Sequence, residues 1–322
     1  LAADSADPGS DLKRPLEQFD SIATGTLNLL EAARRVPRLR AAIVVTNDSV
    51  YRSAAAPRRE LDPLGGPTPQ SASLACAELI IQTFRHYYLT GEDGIGLASL
   101  RTCMLIGGGD FTSNQVVPEL VRAIAAARPL TLAEPTGCPP FLHVLDAIHA
   151  TLLLAQALAR RPRHLARAWN LAPPPSDAWP LSRIAERLRA HCGGTVPGSG
   201  PPPDAASQPR RAAAGIPLPP SATPSSSSRL DGRALAEALG WRPLLAPETA
   251  LDWAAAGYRQ LEATGDKVFI AQQIRQFRAL SSTPPGMAVD SDLDLGPDHG
   301  LSAGRLPLPL PQRKASHAVN LA

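Results

Sequence analysis

Residues 41–51 have the sequence AAIVVTNDSVY, in which a short apolar run rich in β-branched residues ends in polar side chains. The run from Ala41 to Thr46, which lacks polar alternation, is typical of a strand buried on both faces. Such strands occur in parallel sheets whose faces are covered by helices. This stretch therefore predicts a strand inside an α/β domain.

Helical patterns lie on both sides of this strand. Before it, apolar residues recur every three or four positions from Pro15 to Arg35. After it, a Pro/Gly-rich loop at 57–69 leads to a second apolar stripe from Leu74 to Tyr88. The following predicted elements are a strand at 95–106, a helix at 117–126, a strand at 130–132, a helix at 144–159 and a strand at 168–171. This alternation predicts a doubly wound parallel sheet.

The sequence changes in character after Ala172. Beyond it the predicted elements are helices, at 181–190, 232–239, 248–263 and 268–280. Residues 193–228 are rich in Pro, Ser and Gly and are expected to form a long mobile connection. We therefore expect a sheet domain at 1–172, a smaller helical region at 173–280 and a disordered tail at 281–322.

Composition excludes several classes of partner and site. The net charge is only +3 and the arginines are scattered, so nucleic acid is not an expected partner. The sequence has no apolar run of about 18 residues that would predict a membrane span, and its first residues do not predict a signal peptide. The four cysteines show no metal-ligand spacing, which predicts a reduced, cytoplasmic protein without a metal site. Because the first residue is Leu1 rather than Met, we expect a fragment or a processed product.

Eight short segments occur in the order and spacing of one enzyme family. They are LAA (1–3), GTLNLLEAAR (25–34), VVTNDSVY (44–51), CAEL (76–79), IGGGDF (106–111), HVLD (143–146), WNLAP (169–173) and LGWRP (239–243). Together they resemble the extended short-chain dehydrogenases/reductases, specifically the NAD-dependent nucleotide-sugar epimerases and dehydratases. The triple glycine followed by Asp110 and an aromatic residue is most similar to the CDP-glucose 4,6-dehydratases.

The resemblance implies a Rossmann-like sheet at 1–172 and a small C-terminal substrate-type domain. In this family a glycine-rich turn after the first strand holds the NAD pyrophosphate, and Leu1 matches the end of the fourth strand. The resemblance thus implies a partial sheet that lacks its first strands and that turn. NAD is the cofactor of the family, with Ala2, Ala3 and Thr46 on its side of the site, but we expect this chain not to bind it.

The catalytic pair of the family is substituted. Family members use a Tyr that takes the proton of the sugar 4-hydroxyl and a Lys, four residues later, that lowers the Tyr pKa and holds the nicotinamide ribose. The matching positions here are Gln70 and Leu74, and no YxxxK occurs in the chain. An amide does not titrate and a leucine carries no charge, so neither residue can take over these roles.

Other positions of the site also lack the residues that the family has there. Asn47 stands where a Ser/Thr binds the 4-hydroxyl, and Ser49 replaces the residue that assists water elimination. Asp48 is left as the one matching candidate for a catalytic acid, although a carboxylate at a strand end also serves as a turn or cap acceptor. The remaining changes are Ile22 and Met104 in place of Asn, and Gln115 and Pro139 in place of Arg.

Two residues are candidates on the substrate side: Asp110, and His143 as a wall or capping residue. We expect a non-catalytic relative of the CDP-glucose 4,6-dehydratases that acts as a binding or oligomer partner, as a homo-oligomer or with an intact family member, with a nucleotide sugar as its candidate ligand. The alternative is an active NAD-dependent dehydratase or epimerase whose N-terminal part is missing from this sequence. A simple structural module is the third possibility.

Overall fold

A computed structural model describes residues 15–52, 57–89, 95–112, 115–126, 130–131, 138–192, 216–217, 230–264 and 268–281. These residues belong to one compact unit, Leu1–Ser281. Ala2 and Ala3, assigned to the cofactor side by the resemblance, lie outside the described residues. The expected disordered tail also lies outside them, except for Ser281.

The described helices are α1 (Pro15–Phe19), α2 (Gly25–Ala33), α3 (Pro69–Tyr87), α4 (Val116–Ala125), α5 (Val144–Arg160), α6 (Pro162–Leu165), α7 (Leu181–Cys192), α8 (Arg233–Leu239), α9 (Pro247–Thr264) and α10 (Val268–Ser281). The described strands are β1 (Ala41–Asn47), β2 (Gly96–Thr102), β3 (Met104–Ile106), β4 (Leu130–Thr131), β5 (Phe141–His143), β6 (Ala168–Leu171) and β7 (Ile216–Pro217). Among the described residues, no helix has the length and apolar character needed to cross a membrane.

The central sheet is parallel and has the strand order β1-β2-β6. Its middle strand, β2, is buried along its whole length. Because successive side chains of a strand point to opposite faces, Leu97 packs in a cluster with Ile81 of α3, whereas Leu100 packs in a cluster with Leu154 of α5. Helices therefore cover both faces, which confirms the predicted α/β class.

The predicted strand at 95–106 is in fact two strands. At Cys103 the backbone N–H still donates to the carbonyl of Leu171, and the chain then leaves the central sheet. Its continuation, β3, pairs in parallel with β5 in a separate two-stranded sheet. The sequence pattern did not predict β5, because a strand of three residues is too short to show a period.

Within the expected connection at 193–228, the described residues are Ile216–Pro217, which form β7. This strand pairs in parallel with β4. A second apolar cluster is built by α4, α7 and α9, with Leu120, Ile184 and Leu251 among its buried members. The cluster lies beside β3 and β5 and joins helices from both sides of residue 172.

Candidate functional site

The polar residues after β1 form a short, capped turn. Asn47 ends the strand, and its side-chain carbonyl accepts the backbone N–H of Ser49 at 3.0 Å, at the start of a 3₁₀ turn, Asp48–Val50. Asp48 and Ser49 are half-buried in this turn. Burial raises the pKa of the Cys103 thiol well above its usual value, and the nearby Asp48 carboxylate raises it further. The candidate acid therefore faces a protonated thiol at the carboxyl ends of β1 and β2.

Helix α3 carries the two positions that match the catalytic Tyr and Lys. It begins with a capping box in which the hydroxyl of Thr68 accepts the backbone N–H of Ser71 at 3.1 Å and the Ser71 hydroxyl accepts that of Thr68 at 3.0 Å. Gln70 lies in the first helical turn and is half-buried. Leu74, one turn later, is 0% exposed and belongs to the main apolar cluster. At the position that the resemblance matches to the Lys, the structure therefore has a buried hydrocarbon side chain.

Ile22 lies in a π-helical turn, Asp20–Thr24, that interrupts the predicted helix at 15–35 between α1 and α2. π-Helical turns are rare and are frequent at functional sites. The hydroxyl of Thr26 donates to the Ile22 carbonyl at 2.6 Å. The Ile22 side chain is 1% exposed and belongs to the same apolar cluster as Leu74. The inward side chain of this π-helical turn is therefore apolar and buried.

Thr46 belongs to a buried polar network beneath α3. Its hydroxyl donates to the Glu78 carboxylate at 2.7 Å. Glu78 also accepts the hydroxyl of Ser99 at 2.8 Å and the guanidinium of Arg101 at 2.7 Å. Both partners of the Glu78–Arg101 ion pair are buried. Thr46, assigned to the cofactor side by the resemblance, therefore has its side chain committed to this network.

The network continues across the sheet through Arg101. The other terminal nitrogen of its guanidinium donates to the Tyr51 hydroxyl at 2.7 Å, which donates to the side-chain carbonyl of Asn170 at 2.7 Å. The Asn170 amide group donates to the carbonyl of Arg58 at 2.9 Å. Burial raises the pKa of Tyr51 despite the neighbouring guanidinium, so its hydroxyl stays protonated. Tyr51 is a structural hydrogen-bonding group here.

Our reading of the sequence did not single out this network. Ser99 and Arg101 were polar residues inside a stretch that was otherwise predicted to be a buried strand. Buried polar side chains are almost always hydrogen-bonded, and residues two apart in a strand share a face. That spacing was a signal for a polar network on one face of the strand, although it did not identify Glu78 as the partner.

His143 caps helix α5, which agrees with one of its two expected roles. Its Nδ1 accepts the backbone N–H of Leu145 at 3.2 Å, and its ring meets Trp253 edge-on at a centroid distance of 5.9 Å. Burial lowers the pKa of His143 to about 4, which leaves the ring neutral at physiological pH. Among the described residues, no group of His, Cys, Asp and Glu side chains is arranged to hold a metal ion.

The triple glycine is a packing element. Gly108 lies directly against Gly257 of α9, where an added Cβ on Gly257 would meet the Gly108 Cα at 2.6 Å. Asp110 accepts the backbone N–H of Thr112 through its carboxylate at 2.9 Å, and its carbonyl accepts the Tyr258 hydroxyl at 2.8 Å. The structure therefore places Asp110 in a turn that is fastened to α9, and Gly257 and Tyr258 are the partners that sequence reasoning missed.

Comparison with known proteins defines the class. The model of the NAD dependent epimerase/dehydratase family matches residues 1–172, more than half of the 322 residues. The chain belongs to this family. It is 30% identical over 182 residues to the CDP-glucose 4,6-dehydratase of Salmonella typhimurium, an alignment that covers 55% of this chain and 51% of the relative. The chain thus spans about half the length of that relative.

Solved structures support the fold. A dTDP-glucose 4,6-dehydratase from Streptomyces venezuelae, with NAD and TYD bound, superposes with a TM-score of 0.63 at 18% identity over 84% of this chain and 74% of that one. A UDP-glucuronic acid 4-epimerase from Bacillus cereus, in complex with UDP-glucuronic acid and NAD, gives a TM-score of 0.60 at 16% identity over 76% and 69% of the two chains. The sheet is therefore Rossmann-like.

Proposed function

We propose that this chain is a non-catalytic relative of the nucleotide-sugar dehydratases and acts as a binding or oligomer partner of a chain with the same fold. The observation that carries the proposal is the pair at the start of α3. Gln70 stands at the position of the catalytic Tyr, and Leu74, at the position of its Lys, is buried in the apolar cluster.

Oxidation of a sugar at C4 requires a group that accepts the hydroxyl proton while hydride leaves to the nicotinamide. Gln70 has no pKa in the accessible range, and Asn47, in the position that binds the 4-hydroxyl, uses its side-chain carbonyl to cap its own turn. Asp48 is the remaining acid near this end of β1. Without the Tyr/Lys pair, Asp48 lacks the positively charged neighbour that in the family lowers the pKa of the base and holds the nicotinamide ribose.

The same substitutions argue against the family cofactor. NAD would need the Lys at position 74 to hold its ribose, and a buried leucine offers no hydrogen bond. Thr46, on the cofactor side of the resemblance, already donates to Glu78. We therefore expect no saturable NAD binding at micromolar concentrations. Binding of a nucleotide sugar without turnover is consistent with the proposal.

A partner of the same fold is supported by the outer face of the helices beside the sheet. Helices α1 and α2 lie along α3. Together they expose large apolar side chains, among them Leu16, Leu27, Leu79 and Tyr87. Exposed apolar surface of this kind commonly marks protein interaction sites. The four cysteines, all among the described residues, form no disulfide, which supports a reducing, cytoplasmic compartment.

Two measurements test the proposal. The chain is incubated with CDP-glucose and NAD, with the Salmonella typhimurium enzyme as positive control, and the 4-keto sugar is quantified by mass spectrometry. We expect product from the control alone. Light scattering after size exclusion then measures the mass of the chain by itself and after mixing with the control enzyme. An oligomer that the substitution Leu79→Arg dissociates supports the partner role, and a strictly monomeric chain in both samples contradicts it.

The alternative is an active dehydratase or epimerase that is completed by residues outside this sequence. One observation favours it: Asp48 stands at the end of β1 in the position of a family acid. Formation of a 4-keto sugar by a longer chain that contains this sequence would replace the non-catalytic proposal with this one.

A further inference from the structure

The apolar residues that replace the family's polar residues are buried or pack against one of the two apolar clusters. Ile22 and Leu74 are 1% and 0% exposed in the main apolar cluster. Pro139 is buried, and Met104 packs against the second cluster. Of the half-buried positions, Asn47 and Gln70 carry polar side chains, whereas Met104 is apolar. Ile22 and Leu74, which are almost completely buried, carry the apolar side chains that are typical of a hydrophobic core.

We infer that the former site has been rebuilt as part of the hydrophobic core, with Ile22 and Leu74 as one packing unit, so that this part of the fold is stable without a dinucleotide. The inference deepens the proposed function and rests on it. It assigns a positive role to the substitutions, because they contribute packing as well as removing chemistry.

Three segments bring this unit together. The π-helical turn supplies Ile22, the 3₁₀ turn after β1 supplies Val50, and α3 supplies Leu74. Both turns pack directly on α3. All three side chains are almost completely buried in one cluster. A ligand-contacting surface would leave at least one of them open to solvent.

In the described part of the chain, Leu74 is packed in a cluster of hydrocarbon side chains. The carboxylate one helical turn away, at Glu78, lies on the same side of α3. It already accepts hydrogen bonds from Thr46, Ser99 and Arg101. A lysine at position 74 would therefore place an ammonium group among hydrocarbon side chains beside a carboxylate that is already occupied. Such a group destabilises the folded state strongly.

Thermal unfolding of the full chain tests the inference. We expect Leu74→Lys and Ile22→Asn each to lower the Tm by on the order of 10 °C. The matched controls carry the same substitutions at exposed helical positions of α5: Leu152→Lys, at 63% exposure, and Ile148→Asn, at 47%. We expect these controls to change the Tm by about 2 °C or less.

Two uncharged variants at position 74 test the inference if Leu74→Lys does not fold. Leu74→Met conserves volume and apolar character, so we expect a Tm close to that of the unchanged chain. Leu74→Gln has a similar size but buries an amide, and we expect it to lose several degrees. Millimolar NAD should shift the Tm of none of these proteins.

The stability measurements test the repacked core, and the activity measurement tests the non-catalytic proposal. If Leu74→Lys and Leu74→Gln are as stable as their controls, or if NAD raises the Tm of Leu74→Lys, the repacked core is refuted even when no 4-keto sugar forms. Product formation by the unchanged chain refutes the non-catalytic proposal whatever the Tm values are.

Discussion

The carboxylate of Asp146 accepts the backbone N–H of Leu244 at 2.7 Å across 98 residues of chain. It also accepts the N–H of Leu245 at 3.4 Å. Asp146 lies in the first turn of α5, next to the main sheet, whereas Leu245 packs in the second apolar cluster. One buried carboxylate therefore ties the segment between α8 and α9 to the helix that covers the sheet.

Removal of this carboxylate has a predictable cost. Asp146→Ala leaves two backbone donors without their acceptor, and we expect the free energy of unfolding to fall by about 2–4 kcal/mol. Asp146→Asn keeps one carbonyl acceptor and should lose less. Urea denaturation of both variants measures the difference, and an Asp146→Ala variant as stable as the unchanged chain would show that the two hydrogen bonds contribute nothing.

The same residue makes stability depend on pH. Burial raises the pKa of Asp146 from 3.8 to about 6, so the folded state holds its proton more tightly than the unfolded chain does. Its favourable contribution is therefore complete below the unfolded pKa and is lost as the pH rises through about 6. We expect the stability of the unchanged chain relative to Asp146→Asn to be greater at pH 4.5 than at pH 7.5. A pH-independent difference would contradict this assignment.

The buried ion pair between Glu78 and Arg101 gives a third prediction. Replacing Glu78 by Gln leaves a buried guanidinium without its counter-charge, and we expect a loss of about 3–5 kcal/mol. The double variant Glu78→Leu, Arg101→Met removes both charges and should recover part of that loss. Denaturation of Glu78→Leu, of Arg101→Met and of their combination completes a double-mutant cycle, in which strictly additive losses would show that the pair is not coupled.

Close packing at the triple glycine gives a fourth prediction. Gly257→Ala places a Cβ within 2.6 Å of the Gly108 Cα and within 2.7 Å of the Phe269 ring, so we expect a loss of about 2–4 kcal/mol. The matched control is Gly25→Ala, where the nearest heavy atom is a carbonyl oxygen at 3.8 Å and alanine favours the helix. This control should be neutral or stabilising. Similar losses for both variants would contradict the tight Gly108–Gly257 contact.

Restoring the family's catalytic pair should not restore activity. In the double variant Gln70→Tyr, Leu74→Lys, the new lysine lies inside the apolar cluster. Burial there disfavours its positive charge, so the lysine cannot lower the pKa of the new tyrosine. We expect no 4-keto sugar from CDP-glucose and NAD. Turnover by this variant would show that position 74 still opens onto a cofactor site.

Long elements with a clear period were predictable from sequence. The strand at Ala41–Asn47 and the helix at Val144–Arg160 agree closely with their predicted limits. A strand buried on both faces is apolar throughout, and a helix buried along one stripe repeats an apolar residue in every turn, so both leave a clear sequence pattern. The helix that begins at Pro69 starts earlier than its apolar stripe, since Thr68 and Ser71 form the cap before the first buried side chain.

Contacts between distant segments were not predictable in the same way. Neither the pairing of Asp146 with Leu244 nor the approach of Gly108 to Gly257 follows from a local pattern, because each depends on how separate elements are packed. The substituted positions Gln70 and Leu74 could be located from the resemblance. Burial of Leu74 and Ile22 in one cluster required the structure.

The π-helical turn at Asp20–Thr24 has a consequence for how such proteins are recognised. Its irregular backbone persists although its inward side chain, Ile22, is apolar, and Thr26 satisfies the Ile22 carbonyl locally. The main-chain shape of this turn therefore does not depend on a polar side chain at position 22. A match in backbone shape at such a turn is accordingly no measure of activity.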